Sequence, residues 1–531
     1  MKRSNLKQHF IAAMLVTGLL LSSIVIGKQK QDIELPPARF HGRIVNYQDG
    51  DSLRVLLQRN SLTPTVGSYE LAGWLNFYTK VKNDGTFEFE LPISPEPSRL
   101  HIDVVRRGLD GKQKYLQDGA VEYIIESGDD IKMEIEVDEK DREFSISFSG
   151  RGAPKYTCTY LTSHKFFQWD PVVGNFITDA ELNKAGEGML SPIVKGAYDK
   201  RYFGAMHILD SMKALISPLV YDVIRADAYG QVYSSMLATY DVFFERAFFF
   251  EPGESNVSED IKALLPHFLD TLNLPPLPAL TGKTADNFAL STFFKNFLIG
   301  QQIYRLRAQG KEKFDCLELE NQLLNIPMTS FLRDKVLAMF LLTPTFTLYT
   351  SLNQRSMDEC WDEGIKQIKT PYIRSYVQAN NVVHRGRAAY NFELSDPSDK
   401  KVRLSDFKGK VVLMDTWFTG CGGCIRFHKR FEQEIYPSFR KDTNFIVVSI
   451  CSDKDKNSWI KSMQSDKYTN AAYVNLYTNG LGDDAPVLLH YKANMAPFIL
   501  IIGKDGKIHS RIYDNSSSDI IRDIKDALSK S

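Results

Sequence analysis

Cys421 and Cys424 stand three positions apart in DTWFTGCGGC (415–424), after the apolar run KVVLM and ahead of a stretch with helical spacing. Sulfurs at this spacing cycle between dithiol and disulfide, hold a metal, or sit in a turn. Their position favours the first. Cys421 falls where a strand gives way to a helix, and there unpaired backbone N–H groups and the helix dipole stabilise a thiolate and lower the thiol pKa. It is the expected nucleophile. Counting on from Cys424 gives His428, Phe431, Ile435 and Phe439 on one helical stripe, so Cys424 is expected to face inward and resolve a mixed disulfide from behind. Gly422 and Gly423 are expected to let the tight turn form without side-chain obstruction.

The rival chemistries are short of residues. Cys424 and His428 share a helix face and Cys451 is within the same region, but a closed zinc site needs four ligands and the chain has no second CxxC. Haem attachment requires histidine where Ile425 stands. Neither metal nor cofactor is expected. Of the six cysteines, the other four, Cys158, Cys316, Cys360 and Cys451, are scattered singly and read as small buried apolar residues.

The elements that position the pair are legible around it. VVLMDTW (411–417) reads as a strand, followed by a helix through about Phe439. NFIVVSIC (444–451) is a second strand and KNSWIKSMQ a short helix. MAPFILIIGKDGKIHSRIY (495–513) reads as strand, turn, strand, and SSDIIRDIKDALSK closes the chain as a helix. This is an α/β layout with a sheet covered by helices.

Those residues carry a resemblance. Residues 388–531 resemble the thioredoxin-like domain of the TlpA and ResA type, exported thiol-disulfide oxidoreductases of the AhpC/TSA and redoxin superfamily. The landmarks are FEL, LSDFKGKVVLMDTW, the CxxC pair and APFILIIGKDGKI. The resemblance implies attack by Cys421, resolution by Cys424, and a cis-proline at Pro497 that shapes a substrate groove, with Ala496 giving backbone contacts. Trp417, Gly422 and Gly423 are counted with these as substrate-binding residues. Asp415 matches a buried carboxylate that helps remove the proton from the resolving thiol, a task that needs a base whose pKa burial has raised. Protein thiols and disulfides are the implied substrates, and a membrane-borne or periplasmic thiol the implied electron donor. The chain departs from the pattern at Gly420, where tryptophan is usual, at Gly423, where proline is common, and at Lys429, where a proline kinks the helix. A peroxidase site of the PxxxTxxC kind is disfavoured, because Phe418 holds the threonine position. A third reading makes the long N-terminal part a binding or assembly module of the envelope, with the redox domain as sensor.

The rest of the chain frames this domain. At 531 residues it is too long for one core. Lysine plus arginine and aspartate plus glutamate balance at 65 each, which leaves no basic field for nucleic acid. MKRSNLKQ followed by the uncharged run 10–27 has the layout of an export signal, either cleaved or kept as an anchor, so the protein is expected in the periplasm or cell envelope. Residues 36–150 alternate with period two, as in TFEFEL (86–91), KMEIEV (132–137) and FSISF (144–148), with turns at NDG and SGDD. They are expected to form an antiparallel β-sandwich-like domain. Residues 151–385 carry apolar and aromatic residues at helical steps over 217–250 and 285–310, separated by the proline-rich 273–280, and are expected to be an all-α domain whose aromatic stripes form its core. Residues 386–531 are the thioredoxin-like domain.

Overall fold

A computed structural model describes residues 35–59, 62, 74–107, 113–117, 121–138, 143–166, 190–248, 280–309, 311, 314–343, 354–493, 496–513 and 516–530. The expected export segment 1–27 and the proline-rich residues 273–279 lie outside them.

The alternating segments form strands β1 (Ala38–Ile44), β2 (Ser52–Gln58), β3 (Leu75–Lys80), β4 (Thr86–Leu91), β5 (Ser98–Arg107), β6 (Gln113–Gln117), β7 (Tyr123–Ile125), β8 (Asp130–Asp138) and β9 (Glu143–Arg151). In β8 the pattern is clean: Met133, Ile135 and Val137 are buried while Lys132 and Glu136 are exposed. All nine strands join one hydrogen-bonded sheet in the order β3-β2-β5-β6-β9-β8-β1-β4, with β7 also on β5. This differs from the two antiparallel sheets of a sandwich. Most pairs are antiparallel, but β1–β8 and β6–β9 run parallel, pairings that link distant segments and that alternation alone does not specify. The core holds Phe40 and Ile44 from β1, Leu53 and Val55 from β2, Ile102 from β5 and Met133 from β8.

The helical segments follow as α1 (Ala153–Phe166), α2 (Leu190–Ser211), α3 (Pro218–Phe248), α4 (Gly282–Phe288), α5 (Thr292–Ala308), α6 (Cys316–Leu324), α7 (Ser330–Leu342), α8 (Gln354–Gln367) and α9 (Pro371–Asn380). The first of them docks on the sheet: Tyr156 lies in the β core and its hydroxyl donates to Asp129 at 2.8 Å. Further along, the aromatic stripes are core, with Tyr229, Tyr233, Phe288, Phe294 and Phe297 all buried. Helices α3 and α5 touch at Gly230, where an added Cβ would lie 2.3 Å from the backbone of Phe293 and Phe294. A buried polar seam joins helices to sheet. The Arg99 guanidinium of β5 donates to both carboxylate oxygens of Asp227 on α3, at 2.7 and 3.0 Å, and to the Leu290 carbonyl at 3.0 Å.

The C-terminal sheet has the order β11-β10-β14-β13-β12-β15-β16, from β10 (Glu393–Ser395), β11 (Lys401–Arg403), β12 (Val411–Trp417), β13 (Phe445–Cys451), β14 (Val474–Tyr477), β15 (Phe498–Ile502) and β16 (Ile508–Ile512). Helices α10 (Gly422–Arg430), α11 (Lys456–Met463), α12 (Pro486–Tyr491) and α13 (Ser517–Ser529) complete it. Strand β12 is central, parallel to β13 and antiparallel to β15, and all seven of its residues are buried. Coverage on both faces explains its unbroken apolar run. Val411 and Leu413 pack with Phe431, Ile520 and Ile524 on one side, while Val412 and Met414 pack with Leu488 and Tyr491 on the other. This is a thioredoxin-like fold. The helix after the cysteines is not continuous to Phe439: α10 ends at Arg430, a π-helical turn spans Phe431–Ile435 and a 3-10 turn spans Tyr436–Ser438. Pro437 lacks the N–H that a regular helix would need there. His428, Phe431, Ile435 and Phe439 are nonetheless all buried, as the stripe requires.

Candidate active site

The chain leaves the C-terminal end of β12 and turns over four residues into α10. The two in the middle are tied down by side chains of neighbouring elements. The backbone N–H of Thr419 donates to Asp453 at 2.9 Å, its hydroxyl meets the same carboxylate, and Ser462 lies 2.7 Å from that hydroxyl. Gly420 N–H donates to the Tyr468 hydroxyl at 2.9 Å, and the Tyr468 ring stacks on Trp417 with centroids 4.9 Å apart. Gly420 has φ +96°, a left-handed conformation in which a side chain is strained, so the tryptophan usual at this place does not suit this backbone. The turn's special glycine is therefore Gly420. Gly422 and Gly423, expected to serve that purpose, instead form the first turn of α10.

Cys421 is the N-cap of α10, and its sulfur accepts the backbone N–H of Cys424 at 3.0 Å. Cys421 and Cys424 are joined as a disulfide. Cys421 is the outer of the two, 5% exposed against 2% for Cys424. When the bond is reduced, the same N–H faces a thiolate, and hydrogen bonds to charged acceptors contribute about 1.5–3 kcal/mol. The helix dipole adds to it.

Opposite stands the loop before β15. The Ala496–Pro497 peptide is cis, as the resemblance implied, and the Ala496 carbonyl oxygen lies 3.6 Å from the Cys421 sulfur. A Cβ on Gly423 would come 3.3 Å from Pro497 Cδ and 3.6 Å from the Ala496 oxygen, so the absence of a side chain lets the loop sit against the helix start. Phe418, 43% exposed, flanks the pair on the strand side. The surface beside the cysteines thus combines the Gly422–Gly423 backbone, the Phe418 ring and the exposed Arg426 guanidinium, whose Nη1 lies 3.6 Å from where a Gly422 Cβ would be.

Trp417 does not line this surface. It is fully buried, its indole N–H donates to Ser449 at 2.8 Å, and it packs beneath both cysteines. Its place is structural support, because the C-terminal residue of a strand buried on both faces points into the layer below. Asp415, two residues earlier, lies on the same face of β12. Burial holds its carboxyl well above the usual range, and its Oδ1 has no hydrogen-bond partner among the described residues. His428 is also buried, its ring edge-on to Tyr473 with centroids 6.1 Å apart, and burial pushes its pKa down, against the opposing pull of Glu432 and Asp466. Cys451 packs in the same cluster as the disulfide, and burial pushes its thiol pKa up. Among the described residues no group of three or more His, Cys, Asp or Glu is arranged to hold a metal ion.

Sequence reasoning missed Asp453, Tyr468 and Phe418. Their signal was position: Phe418 and Asp453 follow the C-terminal ends of adjacent parallel strands, where sites gather in α/β sheets.

A disulfide-bonded CxxC pair whose first cysteine caps a helix, set against a cis-proline on a thioredoxin-like sheet, defines the C-terminal domain as that of a thiol-disulfide oxidoreductase. Residues 385–511 match the family model described as AhpC/TSA family, so the chain carries an AhpC/TSA domain at its C-terminus. Similar curated proteins are the thiol-disulfide oxidoreductase ResA of Bacillus anthracis, 28% identical over 142 residues, and that of Bacillus subtilis, 26% identical over 141. The matched parts cover 25% and 27% of this chain and 72% and 74% of those relatives. Among solved structures, the thioredoxin domain of a thiol-disulfide oxidoreductase from Bacteroides vulgatus is 26% identical, covering 27% of this chain and 96% of its own, with TM-score 0.24. A thiol:disulfide interchange protein from Bacteroides sp. is 26% identical, covering 28% and 93%, with TM-score 0.24.

Proposed function

We propose that the protein is exported and that its C-terminal domain exchanges disulfides with other proteins through Cys421 and Cys424. The observation that carries this is the Cys421 sulfur at the N-terminus of α10, hydrogen-bonded by Cys424 N–H and facing the Ala496–Pro497 loop. In the reducing direction, the Cys421 thiolate attacks one sulfur of a substrate disulfide, forms a mixed disulfide and expels the first substrate thiolate. Cys424 passes its proton to the Asp415 carboxylate and attacks the Cys421 sulfur, which releases the second substrate thiolate and leaves the Cys421–Cys424 disulfide. A thiol donor then restores the dithiol with two electrons.

Ala496 and Pro497 bind the extended substrate, and Gly422, Gly423 and Phe418 form the floor on which it lies. Residues 10–27 direct the chain to the periplasm or envelope, where the donor is a membrane-borne or periplasmic thiol. The exposed phenyl ring of Phe418 offers no hydroxyl to bind peroxide, which favours disulfide exchange over peroxide reduction.

Insulin reduction by the full chain with dithiothreitol tests the reading. The wild type is expected to precipitate the insulin B chain well before the Cys421→Ser variant, and equal rates would defeat the proposal. Cys424→Ala is expected to accumulate a mixed disulfide whose partner mass spectrometry identifies.

A further inference from the structure

Two cysteines far apart in sequence meet in the helical region. Cys316 is the first residue of α6 and Cys360 lies in α8, yet their sulfurs stand 2.6 Å apart. That is about half an ångström beyond a covalent S–S bond of about 2.05 Å. Both side chains are buried. Glu320, one turn after Cys316 on the same face of α6, brings Oε2 to 3.3 Å from the Cys360 sulfur.

The Glu320 carboxyl is itself buried, and its Oε1 has no hydrogen-bond partner among the described residues. Burial raises its pKa to about 7. Two packed thiols alone would be ordinary core. Here the neighbouring Cys316, burial and Glu320 push the Cys360 thiol pKa up, so the closed pair is inert as thiols and the chemistry that joins them precedes closure.

We propose that Cys316 and Cys360 form a second disulfide, a crosslink between α6 and α8, when the chain folds in contact with a disulfide oxidant such as glutathione disulfide. While it is still open to solvent, the Cys360 thiol loses its proton to water, and the thiolate attacks one sulfur of the oxidant. A mixed disulfide forms and one glutathione thiolate leaves. Cys316, deprotonated, then attacks the Cys360 sulfur and expels the second glutathione thiolate. Two protein thiols are oxidised by two electrons, one glutathione disulfide becomes two glutathiones, and the protein protons pass to the departing thiolates. Because both sulfurs are covered in the folded chain, the exchange belongs to folding, before α6 and α8 close on each other. The bond staples the stretch that holds α7, whose Leu337 and Met339 are core. The crosslink stands apart from the activity proposed above, since it uses neither Cys421 nor Cys424.

The test refolds the full chain in a glutathione redox buffer, quenches with acid, denatures, and counts thiols. Of six cysteines the wild type is expected to keep two free, Cys158 and Cys451, and proteolysis is expected to yield linked peptides containing Cys316 and Cys360 that dithiothreitol separates. A Cys421→Ser/Cys424→Ser double variant is expected to lose two of its four thiols and give the same linked peptides. Four thiols remaining in either protein, or a link joining other cysteines, overturns the crosslink.

Discussion

The sulfur of Cys421 lies 3.6 Å from the carbonyl oxygen of Ala496, and Gly423 is the residue that lets the two segments come so close. An alanine at 423 brings a methyl 3.3 Å from Pro497 Cδ, tight but tolerable with a shift of a few tenths of an ångström. A leucine fills the space through which substrate reaches Cys421. Gly423→Leu is therefore expected to lower kcat/KM for insulin about tenfold or more, a barrier increase of about 1.4 kcal/mol. Reduction of the isolated disulfide by small dithiothreitol should change much less. Equal losses for both reductions would mean that the substitution disturbs the disulfide itself rather than the approach to it.

Asp415 links catalysis to stability. Its pKa is raised by burial above the ordinary 3.8, so the folded chain binds more protons than the unfolded chain over that interval. The stability this group contributes is fully present below pH 3.8 and is lost as pH rises through the raised value. Asp415→Asn keeps the shape and removes the titration. The variant is expected to be more stable than wild type at neutral and higher pH, with the difference shrinking in acid. As catalyst it is expected to lose about 100-fold in resolution of the mixed disulfide, the lower range for removal of a general base. Single-turnover trapping with acid quench at several pH values measures both, since attack by Cys421 should be spared. A variant that resolves at the wild-type rate would confine Asp415 to structure.

The two glycines that flank Cys421, Gly420 in the turn and Gly422 in the helix, should respond differently to alanine. At Gly420, φ +96° puts any side chain in a disfavoured backbone region although nothing lies within 4 Å, so Gly420→Ala is expected to destabilise by about 1–2 kcal/mol. At Gly422, in the first turn of α10, the nearest atom to an added Cβ is Arg426 Nη1 at 3.6 Å. Gly422→Ala is expected to be neutral or to stabilise by about 0.5 kcal/mol. Hydrogen exchange of the β12 amides in the full chain reports both, and matched effects would refute the distinction.

How much of this was legible depends on the range of the interaction. Strand β12 spans the expected 411–417 because seven consecutive residues are buried on both faces, a local pattern. Short β14 and α12 went unread, since four and six residues are too few to show a period. The cysteine pair announced itself by spacing, and Pro497 by resemblance. Trp417 was misjudged because sequence does not tell which side of a strand end faces solvent. The meeting of Cys316 with Cys360 was hidden for a plainer reason: 44 residues and an intervening helix separate them, and only the packing of α6 on α8 brings them together. The parallel pairing of β1 with β8 was hidden in the same way.

The joint between sheet and helices gives a last prediction. Arg99 is buried and donates to Asp227 through both terminal nitrogens. Close by, the Lys295 ammonium donates to the carbonyls of Ala289 and Ser291, and burial together with the neighbouring Lys335 and Arg99 pushes its pKa well down. Asp227 on Arg99, together with Glu96 on Lys335 at 2.8 Å, offsets the cations in this seam. Asp227→Ala leaves the buried Arg99 guanidinium without its counter-charge and is expected to cost about 3–5 kcal/mol. Adding Arg99→Met removes the stranded charge and should recover a good part of that loss, so the double variant is expected to be less damaged than the sum of the two single ones. Thermal unfolding of all four proteins, with hydrogen exchange of β5 and α3 amides to locate the change, measures the coupling. Strict additivity would show that Arg99 and Asp227 do not depend on each other.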